Sequence, residues 1–135
     1  MPPEKLATLR TALEQEPSVS LAYLFGSVAR GQDGPSSDID IAVCFADDVG
    51  LVELGALGER LSMATGGRVD IVDLRLASPL LCWQVVAEGE RLLVRDIVLR
   101  FDFEMSAVRR YEDTRPLRLT QQNLLRELLA HGRAA

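Results

Sequence analysis

Asp38 and Asp40 stand two residues apart at the head of an apolar run, a short loop after Gly26-Ser27, and this grouping is where a chain of 135 residues is best equipped for chemistry. On a strand, alternate side chains share a face. Asp38 and Asp40 therefore point one way while Ile39, Ile41 and Val43 point the other, toward a core. Two carboxylates about 4 Å apart repel by about 1 kcal/mol in water and roughly 4 kcal/mol at an effective dielectric of 20. Bound cations relieve that repulsion, and hard carboxylate oxygens suit Mg²⁺.

The upstream residues supply the complementary half. Gly26 lets a backbone approach a phosphate closely, and a short helix starting at Ser27 would aim its hydroxyl and free N–H groups at an anion. Arg30 adds a charge-assisted donor. A two-metal phosphoryl-transfer site calls for a further oxygen ligand, for which Asp70 and Asp73 are the candidates. Three apart on a strand, they project to opposite faces, so at most one joins the pair. Asp70, between Val69 and Ile71, is the choice; Asp73 is assigned to the strand end.

The elements that must carry these residues follow from pattern. Leu6, Leu9 and Leu13 recur at helical spacing until Pro17, and Val19 to Phe25 is a nearly continuous apolar run, the mark of a strand buried on both faces. GQDGPSS, residues 31–37, is a loop, and Asp38 to Phe45 a second strand. Asp47 or Asp48 is expected to cap a helix buried along Leu54, Leu57 and Leu61 and ended by Gly66-Gly67. Val69 to Leu74 is a third strand. Ser78-Pro79 opens a short helix to Gly89, and Arg91 to Val94 is an edge strand. From Asp96, Ile97, Phe101, Met105 and Val108 predict the stripe of a long amphipathic helix that Pro116 breaks, before a last helix over 120–131 with Leu124, Leu125, Leu128 and Leu129 along one side. The fold class is α/β (α+β), a small mixed sheet of about four strands with helices packed on it.

With 47% hydrophobic residues, the chain can build one sizeable core. Its net charge of -5 argues against direct nucleic-acid binding, which depends on Lys and Arg. Cys44 and Cys82 sit in apolar runs without metal-ligand spacing and read as buried thiols, and the lone His131 as a solvated residue. No run approaches the ~18 apolar residues of a membrane span, and the N-terminus lacks the apolar stretch of a signal peptide, so the cytoplasm is the expected location.

FGSVARG followed by SDIDIAV resembles the signature of the polymerase-beta-like nucleotidyltransferase superfamily, and the RVDIVDL strand resembles its minimal nucleotidyltransferase (MNT) branch. The resemblance spans roughly residues 19–74 and continues more loosely to about residue 113. It implies that Gly26, Ser27, Arg30 and Ser37 bind the triphosphate of ATP. Asp38 and Asp40 would bridge two Mg²⁺ ions, and Asp70 would bind the metal next to the attacking hydroxyl. It also implies an antitoxin that transfers AMP to a tyrosine of a HEPN-family ribonuclease toxin. The expected division is a nucleotidyltransferase domain over 1–115 and a helical extension over 116–135 that packs on the core, forms a homodimer seam or docks a partner. Two other functions are consistent with the residues: transfer to a small molecule such as an aminoglycoside, and neutralisation of a partner by binding alone.

Overall fold

The computed structural model describes residues 1–26 and 38–134. Among them run α1 (Pro3–Glu14), β1 (Val19–Phe25), β2 (Ile39–Phe45), α2 (Leu51–Thr65), β3 (Val69–Asp73), α3 (Pro79–Glu88), β4 (Glu90–Val94), α4 (Ile97–Asp113) and α5 (Arg115–Ala134). The strands form a mixed sheet in the order β3-β2-β1-β4. β1 is antiparallel to both β2 and β4, while β2 and β3 run parallel. A parallel pair cannot be joined by a tight turn; α2 supplies the crossover.

Alternation along the strands divides the interior in two. Val19, Ala22, Leu24, Ile39, Ile41, Val43 and Val69 pack with Leu9 and Leu13 of α1 and Leu57 and Leu61 of α2. On the other face, Leu21, Tyr23, Ala42 and Cys44 meet Cys82 and Val85 of α3 and Ala107 of α4. Burying a leucine of this kind contributes about 1.5–3 kcal/mol. Both cysteines are buried free thiols, as expected. Burial pushes the Cys44 thiol up to about 11.

Polar contacts fix how the layers meet. Tyr23 donates its hydroxyl to Glu104 Oε1 at 2.7 Å, and Arg91 of β4 donates to both oxygens of Glu104 at 2.9 and 3.1 Å, so α4 is tied to two neighbouring strands. Arg95 donates to the carbonyls of Val19, Leu13, Glu14 and Glu16, closing the C-terminal end of α1 against β1. Ser78 caps α3, its Oγ accepting from Leu81 N at 3.2 Å, with Pro79 in the first turn. Gly66 ends α2 at φ 74°, a left-handed conformation that glycine adopts without steric cost.

Three sequence expectations are corrected. Neither Asp47 nor Asp48 caps α2: Gly50 holds the N-cap without a side-chain bond, and the Asp48 carboxylate pairs with Arg75. Leu54 is partly buried, so the stripe of α2 centres on Leu57 and Leu61. The break between the last two helices falls at Thr114, and Pro116 lies within the first turn of α5, where a missing N–H costs nothing. The long helix expected from Ile97, Phe101, Met105 and Val108 is present, with these side chains turned away from the core. They are 43–67% exposed, and α4 buries Ala107 with Leu99 and Phe103 instead. On a 3.6-residue period the two sets lie on nearly opposite sides of the helix, so α4 carries two apolar stripes. Among the described residues no helix is long and apolar enough to cross a membrane.

Candidate active site

Strand register assembles the site. β1 ends where β2 begins, with Phe25 opposite Asp40, and Asp40 is the parallel partner of Asp70 on β3. Neighbouring strands lie about 4.8 Å apart, and side chains of paired residues project to the same face. Gly26, Asp40 and Asp70 thus occupy one end of three adjacent strands, with Asp38 just before β2. Register separates the two candidates for a third ligand: Asp70 pairs with Asp40, whereas Asp73 pairs with Val43. Asp73 is buried, accepts from Arg75 N at 3.0 Å and pairs with the Arg75 guanidinium at 3.4 Å.

Gly26 is required here on two counts. Its φ of 79° lies in the left-handed region, and a Cβ at this position would stand 2.5 Å from Asp40 Oδ2. The carboxylate of Asp40 therefore rests against backbone at the end of β1 with no side chain between. Ser27, Arg30 and Ser37, expected to bind the triphosphate, lie outside the described residues.

The electrostatics match a site for cations. The Asp40 carboxyl is raised above the usual carboxylate range, first by burial and then by the charges of Asp70 and Asp38. Asp38 and Asp70 are roughly half exposed, which leaves the cluster open to solvent on one side. A cleft of about 410 Å³ opens beside Asp70 between α2 and β3, with Gly55, Gly58, Ser62 and Arg68 in its walls. Among the described residues no three His, Cys, Asp or Glu side chains are gathered tightly enough to hold an ion as they stand. A cation of the chain itself is there instead: Arg68 Nε lies 3.3 Å from Asp70 Oδ1 and 3.9 Å from Asp38 Oδ2. Sequence reasoning passed over Arg68, although a basic residue two positions before Asp70 shares its face of the strand by alternation.

Residues 7–98 match the family model described as polymerase beta, nucleotidyltransferase. The chain belongs to this nucleotidyltransferase family. The domain is 36% identical over 118 residues to the protein adenylyltransferase MntA of Shewanella oneidensis, covering 87% of this chain and 82% of the relative. Among solved structures it resembles a chain of a toxin–antitoxin complex with AMP-PNP, with a TM-score of 0.75 and 32% identity over 92% of this nucleotidyltransferase and 98% of that chain. It also resembles a chain of the complex between the tri-AMPylated Shewanella oneidensis HEPN toxin and its MNT antitoxin, with a TM-score of 0.70 and 30% identity over 93% and 97% of the two chains.

Proposed function

We propose that this nucleotidyltransferase is a protein adenylyltransferase antitoxin that moves AMP from ATP to a tyrosine hydroxyl of a cognate HEPN-family toxin. The observation that carries the reading is the pairing of Asp40 with Asp70 across parallel strands, with Asp38 alongside and bare backbone at Gly26 against Asp40. The homology to MntA supports the acceptor class.

The chemistry of the donors suits divalent ions: Asp40 pairs with Asp70 across the strands with Asp38 just before β2, and burial and mutual repulsion make the ionised form of Asp40 costly without a counter-charge, so a bound ion would draw the three carboxylates closer than they stand. Asp38 and Asp40 would hold two Mg²⁺ ions, with Asp70 on the acceptor side. Such ions, when bound, neutralise the triphosphate and lower the pKa of the attacking hydroxyl. Gly26 lets Asp40 close on the backbone at the end of β1, and Gly26, Ser27, Arg30 and Ser37 are assigned to the triphosphate oxygens. Asp70, the outermost of the paired carboxylates, orients the acceptor hydroxyl and accepts its proton. The oxygen–α-phosphorus bond then forms as the bond to pyrophosphate breaks. The contribution of the chain is positioning and fixed charge rather than covalent catalysis.

Such an enzyme acts in the cytoplasm, alongside its partner and ATP, and assembles with the partner as a hetero-oligomer. The reading is tested by incubating the purified chain and the HEPN-family protein encoded beside it with ATP and Mg²⁺, followed by intact-mass and peptide analysis of the partner. Adenylyl increments on tyrosine are expected. An unmodified partner in a stable complex would replace the reading with neutralisation by contact alone.

A further inference from the structure

The last two helices expose more apolar surface than the domain can use. Ile97, Phe101, Met105 and Val108 form an uncovered stripe on the outer side of α4, and Leu117, Leu124, Leu125, Leu128 and Leu129 of α5 are each 55–61% exposed. The described contacts of α5 with the domain lie in its first turn, where the Arg118 guanidinium stacks 3.6 Å from the Tyr111 ring centroid and Tyr111 stacks on Trp83 at 4.3 Å. Beyond that turn, the helix is an amphipathic rod whose side chains are exposed among the described residues. Most helical stability in proteins comes from packing an apolar face, so the conformation of α5 calls for an occupant.

Charge and likeness identify that occupant. In a chain of net charge -5, residues 115–135 hold four arginines and a single glutamate, so the leucine stripe lies on a basic helix. The complementary surface is an apolar helical groove with an acidic rim. Chains matching this one over 97–98% of their own length are found in toxin–antitoxin complexes, and one match extends over 96% of this chain, which takes α5 into the shared part.

We propose that the outer stripe of α4 and the leucine stripe of α5 together form the docking surface for the HEPN-family partner, holding the acceptor to the domain independently of nucleotide. This assignment of 115–135 as a docking arm rests on the function proposed above. It separates two tasks within one chain: residues at the sheet end carry out transfer, and the apolar face of the last helices supplies affinity.

The test uses the full chain with Leu124→Asp/Leu128→Asp and, separately, Phe101→Asp. These side chains are exposed, so the variants keep the core intact. Calorimetric titration with the purified HEPN-family partner should show affinity falling about a hundredfold or more for the double variant, as for loss of central apolar anchors. The ATP and Mg²⁺ thermal shift should be unchanged. Wild-type affinity in both variants overturns the proposal while leaving the proposed function standing. Two other outcomes overturn it with a different occupant: a homodimer by light scattering that dissolves in the double variant while partner affinity persists, or variant-sensitive binding to vesicles containing phosphatidylglycerol with the same persistence. Absence of any complex with the wild-type chain overturns both the docking surface and the function on which it rests.

Discussion

Arg68 Nε stands 3.3 Å from Asp70 Oδ1, so the residue just before β3 places a cation beside the carboxylate that β3 carries. The Arg68 side chain is largely exposed, and a pair of this kind contributes about 0–1 kcal/mol. That is enough to soften the repulsion within the cluster and too little to hold against a divalent ion. Arg68→Gln should therefore tighten Mn²⁺ binding several-fold, as read by calorimetry without nucleotide. Unchanged affinity would mean that the pair has no bearing on cation entry.

Gly26 should not tolerate even one methyl group. Gly26→Ala places a Cβ against Asp40 Oδ2 and forces a left-handed backbone that costs an L-residue about 1–2 kcal/mol. A lower melting temperature and loss of the ATP and Mg²⁺ thermal shift are expected. A variant with wild-type nucleotide binding would remove Gly26 from the site.

Glu104 gives the domain an acid limb of defined origin. Burial alone would raise its carboxyl, but hydrogen bonds from Arg91 and Tyr23 outweigh burial and hold it below its ordinary value. A folded pKa below the unfolded one means that the unfolded state takes up protons first. The stability from this group is present above the ordinary carboxylate range and is lost as pH falls through the depressed value. Glu104→Gln should flatten the acid side of the stability–pH curve in urea titrations and lower stability at neutral pH by about 1.5–3 kcal/mol, the range for a hydrogen bond to a charged group. An acid limb as steep as that of the wild type would place its origin elsewhere.

The parts of the fold legible beforehand are those where one physical signal dominates. Ile39, Ile41 and Val43 alternate with Asp38 and Asp40, which placed the carboxylates on the face opposite that core layer, and the three-residue offset separated Asp70 from Asp73. Register was not legible: that Asp40 pairs with Asp70 follows from the geometry of the β2–α2–β3 crossover, which no local pattern encodes. Which side of α4 faces the core was not legible either, because Leu99, Phe103 and Ala107 repeat at the same helical spacing as Ile97, Phe101 and Met105, so periodicity alone cannot choose between them. Asp48 resembled a cap, yet a long-range partner, Arg75, claims it. Pro116 resembled a stop, but in a first turn proline is compatible with a helix. Arg68 was overlooked because its role appears only once β3 lies beside β2.

The most direct test of the carboxylate assignment is transfer from α-labelled ATP to the HEPN-family partner by Asp40→Asn compared with the wild-type chain in Mg²⁺. The substitution keeps the shape of the side chain and removes the charge that Asp38 and Asp70 oppose, so the variant should fold at least as stably and bind the partner as tightly. Label on the partner with the wild type, and none above background with the variant, is the result expected of carboxylates that hold the metal. Transfer by Asp40→Asn at the wild-type rate would contradict it.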